Sequence, residues 1–457
     1  MLTYDLKKSP GVPLYEALYR CIRLDILNGK LAPGQKLPSK RALAANLEIS
    51  KITVESAYNQ LQSEGYITAR EKVGYFVEAV EGLRPATENP VIPAAPTMED
   101  DTVDLTAGSS AQFPFSVWAR LQRSVMLDLG EELLRPLPNQ GHWGLRQAIA
   151  EHLLAFRGMS VSPENILIGA GTDFLYNLLI QLLGRDLVYA VEEPGYGKIR
   201  KIYAAAGARC MDAVMDHWGV EPEKLGDAQV LHISPSHHFP TGIIMPPVRR
   251  MELLNWADRG EKWIIEDDYD SEFRFDARPK PTLQSLDRWG RVIYMNTFSK
   301  TLAPSIRISY LVLPDGLMAE FQRRLGFYSC TVPSFEQYTL ARFLSRGHFE
   351  KHINRMRKFY RARRNRVVQL LKTGPYADRI EILELDAGLH FLVRVDTALP
   401  DALLTEKLRE AGIRVRTLSS YYHDDAHRDS HCLVVNYSAL REESLESVTD
   451  RLSRVFG

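Results

Sequence analysis

Cysteine is scarce in this chain of 457 residues, and Cys21, Cys210, Cys330 and Cys432 stand far apart. That spacing offers neither a metal-binding pair nor a disulfide framework, and it fits free thiols in a reducing cytoplasm. A net charge is missing as well, with 57 Lys and Arg against 57 Asp and Glu. Any contact with nucleic acid must therefore come from a local basic face. No apolar run reaches membrane-spanning length: the longest, around 174–183, is broken by Asn177 and Gln181, and Lys7 and Lys8 precede no signal-peptide core. A cytoplasmic protein with no membrane partner is expected. What the chain has in quantity is core, since 45% apolar residues over this length imply two to four domains.

The first seventy-odd residues carry helical periodicity. Leu14, Leu18, Ile22, Ile26 and Leu27 mark one helix, closed by Asn28-Gly29. Ser39 opens a short second helix and Ser50 caps a third, Lys51 to Glu64, whose buried face is Val54, Ala57, Tyr58 and Leu61. A short helix, a tight turn and a longer helix make a helix-turn-helix. Two short strands, around 65–68 and 75–77, joined through Lys72 and Gly74, then read as a wing. A small helical bundle without a partner would show the same periodicity, but the polar residues fall where DNA needs them. Ser39, Lys40 and Arg41 start helix two, and Ser50, Lys51 and Thr53 start helix three, so both amino termini present N–H groups and cations to phosphates and base edges. With Lys72 on the wing, these are the candidate contacts to double-stranded operator DNA.

Residues 79–103 change character, with prolines, repeated acids and no periodic apolar face, and read as a linker between a DNA-binding domain over 1–78 and a second domain over 104–457. In the second domain apolar strands alternate with helices, at 166–168, 187–191, 230–233, 263–265, 292–295 and 308–313, which is the rhythm of a doubly wound, mostly parallel sheet. A long basic helix through 351–366 and an αβ tail over 381–456 follow; the basic density is read as a solvated helix face.

The chemistry gathers at strand ends. Val292 to Met295 runs into Ser299-Lys300, with Arg307 seven residues on, so an amine and a phosphate-binding cation stand at the edge where such sheets bind ligands. Those are the two groups that pyridoxal 5'-phosphate requires. Trp263-Ile264-Ile265 ends in Asp267 and Tyr269: a carboxylate there can hold a pyridine nitrogen protonated, and a phenol two residues on can reach the ring hydroxyl. No metal is expected, because no histidine lies within that run and hard cations would need more carboxylates from elsewhere. Gly171 and Thr172, between a strand and a helix, free amides to cradle a phosphate.

Ser299-Lys300 with Arg307, Asp267 with Tyr269, and Phe239-Pro240-Thr241-Gly242 resemble the fold-type I aminotransferases in order and spacing, while the start of the chain resembles a GntR-type winged helix. The combination resembles the MocR/GabR family of bacterial transcription regulators over nearly the whole chain. The resemblance implies an N-terminal winged helix-turn-helix joined to a fold-type I aminotransferase-like α/β domain with a small C-terminal subdomain. It also implies pyridoxal 5'-phosphate held as an imine on Lys300, Tyr196 stacked on its ring, Gly171, Thr172, Ser299 and Arg307 around its phosphate, and a homodimer. Two departures stand out: Phe239 replaces the asparagine that bonds the ring hydroxyl in those enzymes, and Val434 stands where an arginine would hold a substrate carboxylate. Arg414, Arg416 and Lys198 are left as other candidates for that carboxylate. The expected function is a cofactor-dependent transcription regulator that senses an amine, an amino-acid-like effector or the cofactor itself, with at most weak transamination. The alternatives are an active aminotransferase with an autoregulatory head, and a cofactor-free dimerisation scaffold.

Overall fold

The computed structural model describes residues 2–4, 6, 12–71, 73–79, 102–106, 108, 112–275, 280–385, 388–423, 429–438, 440 and 442–456. Lys72 and most of the expected linker lie outside the described residues. Residues 1–99 and 100–457 form two compact units.

In the first unit α1 (Leu14–Leu27), α2 (Lys40–Leu47) and α3 (Lys51–Ser63) precede strands β1 (Ile67–Arg70) and β2 (Gly74–Val77). Helices α2 and α3 start where they do because Ser39 Oγ accepts the Ala42 amide and Ser50 Oγ the Thr53 amide, each at 3.1 Å. Each such cap contributes about 1 kcal/mol. Leu18, Ile22, Leu43, Val54, Ala57, Tyr58 and Leu61 are wholly excluded from solvent, and burial stabilises each large aliphatic among them by about 1.5–3 kcal/mol. The antiparallel pair β1–β2 runs from Ile67 opposite Val77 to Arg70 opposite Gly74 and forms the wing.

The second unit opens with β3 (Val103–Asp104), α4 (Phe115–Leu129) and α5 (Trp143–Arg157). Next come β4 (Ile166–Gly169), α6 (Thr172–Leu183), β5 (Val188–Glu193), α7 (Gly197–Ala205), β6 (Arg209–Asp216), β7 (Gly219–Val220) and β8 (Val230–Ile233). After these are α8 (Pro247–Arg259), β9 (Trp263–Asp267), α9 (Leu283–Leu286), β10 (Val292–Thr297), α10 (Phe298–Thr301) and β11 (Ser309–Val312). Helices α11 (Asp315–Leu325), α12 (Ser334–Ser345) and α13 (His348–Thr373) lead to β12 (Ile380–Leu383), β13 (His390–Val395) and α14 (Asp401–Glu410). The chain ends with β14 (Ile413–Arg414), β15 (Arg416–Thr417), β16 (Cys432–Asn436) and α15 (Glu442–Phe456).

Among the described residues the large sheet has the order β4-β11-β10-β9-β8-β5-β6-β7. Strands β10, β9, β8, β5 and β6 run parallel, each beside the next. Both faces are covered, as apolar runs without alternation require. Ile293 and Met295 pack with α6, α7 and α11, while Tyr294 between them packs with α4, α5 and α12. Strand β11 runs antiparallel to both its neighbours. The physical reason is length: residues 298–308 hold only a single α-helical turn and a 3-10 turn over Pro304–Ile306, too short a connection to bring the chain back for a parallel crossover. The smaller sheet, β12-β13-β16-β15, pairs antiparallel throughout. Val103, at the end of the expected linker, already belongs to a strand, paired with Ile413.

Candidate functional site

Strands β9 and β10 end side by side, with Met295 opposite Asp267, so the residues that follow both strands meet at one sheet edge. Lys300 stands on the single helical turn α10 directly after β10, a turn opened by Thr297 Oγ1 accepting the Ser299 amide at 3.1 Å. Its side chain is exposed, and its ammonium lies 6.0 Å from the centre of the Tyr269 ring. Asp267 is buried: Oδ2 accepts the Tyr176 hydroxyl at 2.8 Å, while Oδ1 has no hydrogen-bond partner. The Tyr269 hydroxyl and Ser299 Oγ are likewise buried and unpartnered. Burial, together with Asp270 and Asp267, raises the Tyr269 phenol well above its ordinary pKa, so it stays a donor at neutral pH.

Gly171, at φ 88°, precedes α6, whose first turn has no side-chain cap and leaves its amides open. Arg307 closes over this turn, so that a Cβ on Gly171 would lie 2.4 Å from its guanidinium, and the left-handed φ at this position favours glycine. Asp173 Oδ2 lies 3.5 Å from Arg307 and 2.6 Å from Lys198. Tyr196 is half exposed, with Phe239 edge-on at 6.1 Å. Five of the expected residues, Asp267, Tyr269, Ser299, Lys300 and Arg307, thus extend from neighbouring strand ends, and Gly171, directly before Thr172, lies under Arg307. Tyr196 follows β5, two strands further along the same sheet.

The first unit carries its own polar surface. Arg41, Ser50 and Lys51 are exposed, and Ser50 Oγ also lies 2.8 Å from Thr53 Oγ1. Lys40 differs from them: its ammonium is held by Glu55 at 2.8 Å and sits 5.2 Å from the Tyr75 ring, with the side chain only 18% exposed. It braces α2 against α3 and the wing.

Residues 14–77 match the model of the bacterial regulatory proteins, gntR family. The whole chain is similar to a probable rhizopine catabolism regulatory protein, MocR, of Rhizobium meliloti, with 32% identity covering 99% of this chain and 95% of that protein. It is also similar to the HTH-type pyridoxine biosynthesis transcriptional regulator PdxR of Corynebacterium glutamicum, with 31% identity over 88% of this chain and 87% of the relative. Kynurenine aminotransferase of Pyrococcus horikoshii, solved in complex with PMP, superposes with a TM-score of 0.69 at 24% identity, covering 78% of this chain and 91% of that one. That likeness shows the fold. The chain belongs to the MocR family of transcription regulators. It is a DNA-binding regulator with a GntR-type winged helix and an aminotransferase-like unit.

Behind the site of this MocR-family chain lies a buried polar scaffold that the sequence reading did not find. Arg157, at the end of α5, reaches Asp268 at 2.9 Å, and Asp268 accepts the Tyr294 hydroxyl at 2.7 Å. Burial pushes the Asp268 carboxyl up, but Arg157, Ser236 and Tyr294 outweigh it and hold the group below the usual carboxylate range. His237 pairs with Asp270 at 2.8 Å, and Arg250 with Glu266 at 3.4 Å. Along 267–270 the residues alternate between the site, at Asp267 and Tyr269, and the scaffold, at Asp268 and Asp270. The signal available in sequence was the density of acids in Asp267-Asp268-Tyr269-Asp270-Ser271-Glu272: carboxylates bordering a buried strand need cationic partners. Nothing in sequence says that Arg157, 111 residues away from Asp268, is one of them.

The two departures from aminotransferases turn out to share one environment. Val434 packs with Leu392 and Cys432, and Phe239, Leu383, Leu418 and Tyr421 close over them. Phe239 also meets His390 and Tyr421 edge-on, at 5.0 and 5.1 Å. Arg416 pairs directly opposite Val434 and is exposed on the same face of the small sheet.

Proposed function

We propose that the aminotransferase-like unit binds pyridoxal 5'-phosphate through Lys300 and serves the winged helix as a sensor. The observation that carries this reading is the set of buried, unpartnered polar atoms at the sheet edge, Asp267 Oδ1, Tyr269 OH and Ser299 Oγ. Unsatisfied buried polar atoms are costly, and this set matches the cofactor's ring nitrogen, ring hydroxyl and phosphate. When bound, the cofactor supplies an electrophilic carbonyl and an electron-accepting ring. Lys300 provides the amine for attachment, Asp267 keeps a proton on the ring nitrogen, and Tyr269 donates to the ring hydroxyl. The Thr172 amide, with Ser299 and Arg307, holds the phosphate beside Gly171, whose own amide donates to the Gly169 carbonyl at 2.8 Å, and Tyr196 covers the ring.

Sensing is favoured over turnover because Phe239 and Val434 fill with apolar side chains the two places where an aminotransferase carries an amide and an arginine. Transamination needs the substrate held to within about an ångström, and misplacement costs on the order of a hundredfold in rate. An effector acid group would fall instead to Arg416 or Lys198; the PdxR relative makes the cofactor itself a second candidate effector. The test is product formation from a panel of amino acids and keto acids. Little or no turnover is expected, whereas multiple turnovers at about 1 per second or faster would favour the active-enzyme alternative.

The same reading places Arg41, Ser50, Lys51 and Thr53 on operator DNA, with Ser39 capping α2 and Lys40 bracing it. A homodimer would present two heads to a repeated operator, and the exposed, stacked pair Phe327 and Tyr328 with exposed Trp143 offers apolar surface for it. Arg41→Ala or Lys51→Ala is expected to weaken operator binding by about 1–3 kcal/mol where the contact is to a base. Where it is to a phosphate, the slope of affinity against salt drops by about one. Unchanged affinity in both variants would put the recognition surface elsewhere.

A further inference from the structure

Between Lys51 and Thr53 stands a side chain that neither the core nor a phosphate can use. Ile52 is 74% exposed, more than any other large apolar residue described in the first unit. It occupies the first turn of α3, just after the Ser50 cap. Isolated exposed aliphatics are ordinary on protein surfaces, but the neighbours of this one limit what can lie against it. Glu55, three residues on, shares the helix face, and its carboxylate is fixed there by Lys40 at 2.8 Å. A face made of a bare aliphatic and a carboxylate already paired with an ammonium has nothing to offer a phosphate. The cations that do suit phosphates, Lys51 and Arg41, are exposed beside it.

Such a face belongs against base edges, where the N-terminal residues of a recognition helix reach in the major groove. Base edges there present donors, acceptors and a single apolar group, the C5-methyl of thymine. We propose that Ile52 reads that methyl in each operator half-site and is a specificity-determining residue of this regulator. The β-branched side chain is stiff about χ1, so little rotamer freedom is lost on contact. The inference rests on the DNA-binding unit alone and is independent of what Lys300 holds.

The test uses the full-length protein and operator duplexes selected by it from a randomised pool. Each thymine of the half-site is replaced in turn by deoxyuridine, which removes only the methyl. One position is expected to lose about three- to tenfold in affinity, the worth of one buried methyl-sized contact. In Ile52→Ala that penalty vanishes, and sites reselected with the variant no longer prefer thymine there, while the salt dependence stays as in the wild type. Because Ile52 is exposed, the variant keeps its fold, and the wild-type series decides even without it. Tolerance of deoxyuridine at every position, or a penalty that persists in Ile52→Ala, overturns the proposal.

Discussion

Replacing Lys300 with alanine is expected to give a folded, operator-binding protein that retains no pyridoxal 5'-phosphate through dialysis and shows no long-wavelength absorbance. Only a primary amine at that position can form the covalent link. The other groups proposed to hold the cofactor, Asp267, Tyr269, Ser299 and Arg307, offer hydrogen bonds and charge but no such bond. The fold should not suffer, because the Lys300 side chain is exposed after β10 and removes nothing from the core. Borohydride reduction of the loaded wild type followed by peptide mapping should place the modification on Lys300. Modification of another lysine, or retention of the chromophore in Lys300→Ala, would remove the residue from its proposed role.

The second large effect is on stability. Arg157→Ala should destabilise the aminotransferase-like unit by about 3–5 kcal/mol, because it leaves the Asp268 carboxylate buried without its counter-charge. The side chains are 1% and 0% exposed, so water cannot take the guanidinium's place. The sign of the pH dependence follows from the carboxyl. Asp268 is held below its ordinary pKa in the fold, so its stabilising contribution is full above the unfolded value of about 3.9 and is lost as pH falls through the folded value. The gap between wild type and variant should therefore narrow in acid. Urea denaturation followed at several pH values checks this, with the winged-helix transition as the internal control. A variant as stable as the wild type at neutral pH would mean that Tyr294 and Ser236 alone suffice to hold the carboxylate.

Local signals made the winged helix legible: serine caps at Ser39 and Ser50, a glycine at the wing turn, and a helical stripe ending at Leu61 all act within a few residues of where they are read. The same holds for β9 and β10, whose short, β-branched and aromatic apolar runs read as strands buried on both faces. Strand β6 escaped because it is half exposed and broken by Asp212, so it lacks such a run. The direction of β11 escaped because apolar content does not carry orientation; the short path from β10 sets it. At the site, the residues that would touch a cofactor lie beside strand ends and could be found from spacing, whereas Tyr176 and Arg157 support them from distant helices. Lys40 shows the opposite limit. Its place at the start of α2 suggested a contact with DNA, and spacing gave no sign that Glu55, fifteen residues on, also lies within reach of its ammonium.

The central claim is that what Lys300 holds alters how the winged helix engages its operator. Operator titration of full-length wild type and Lys300→Ala, each with and without pyridoxal 5'-phosphate, tests it most directly. The account predicts a cofactor-dependent change in wild-type operator affinity, of the size of ordinary coupling between sites, about 1–3 kcal/mol, and none in Lys300→Ala. Identical operator binding by the wild type with and without bound cofactor, across a panel of added amines and amino acids, would contradict it.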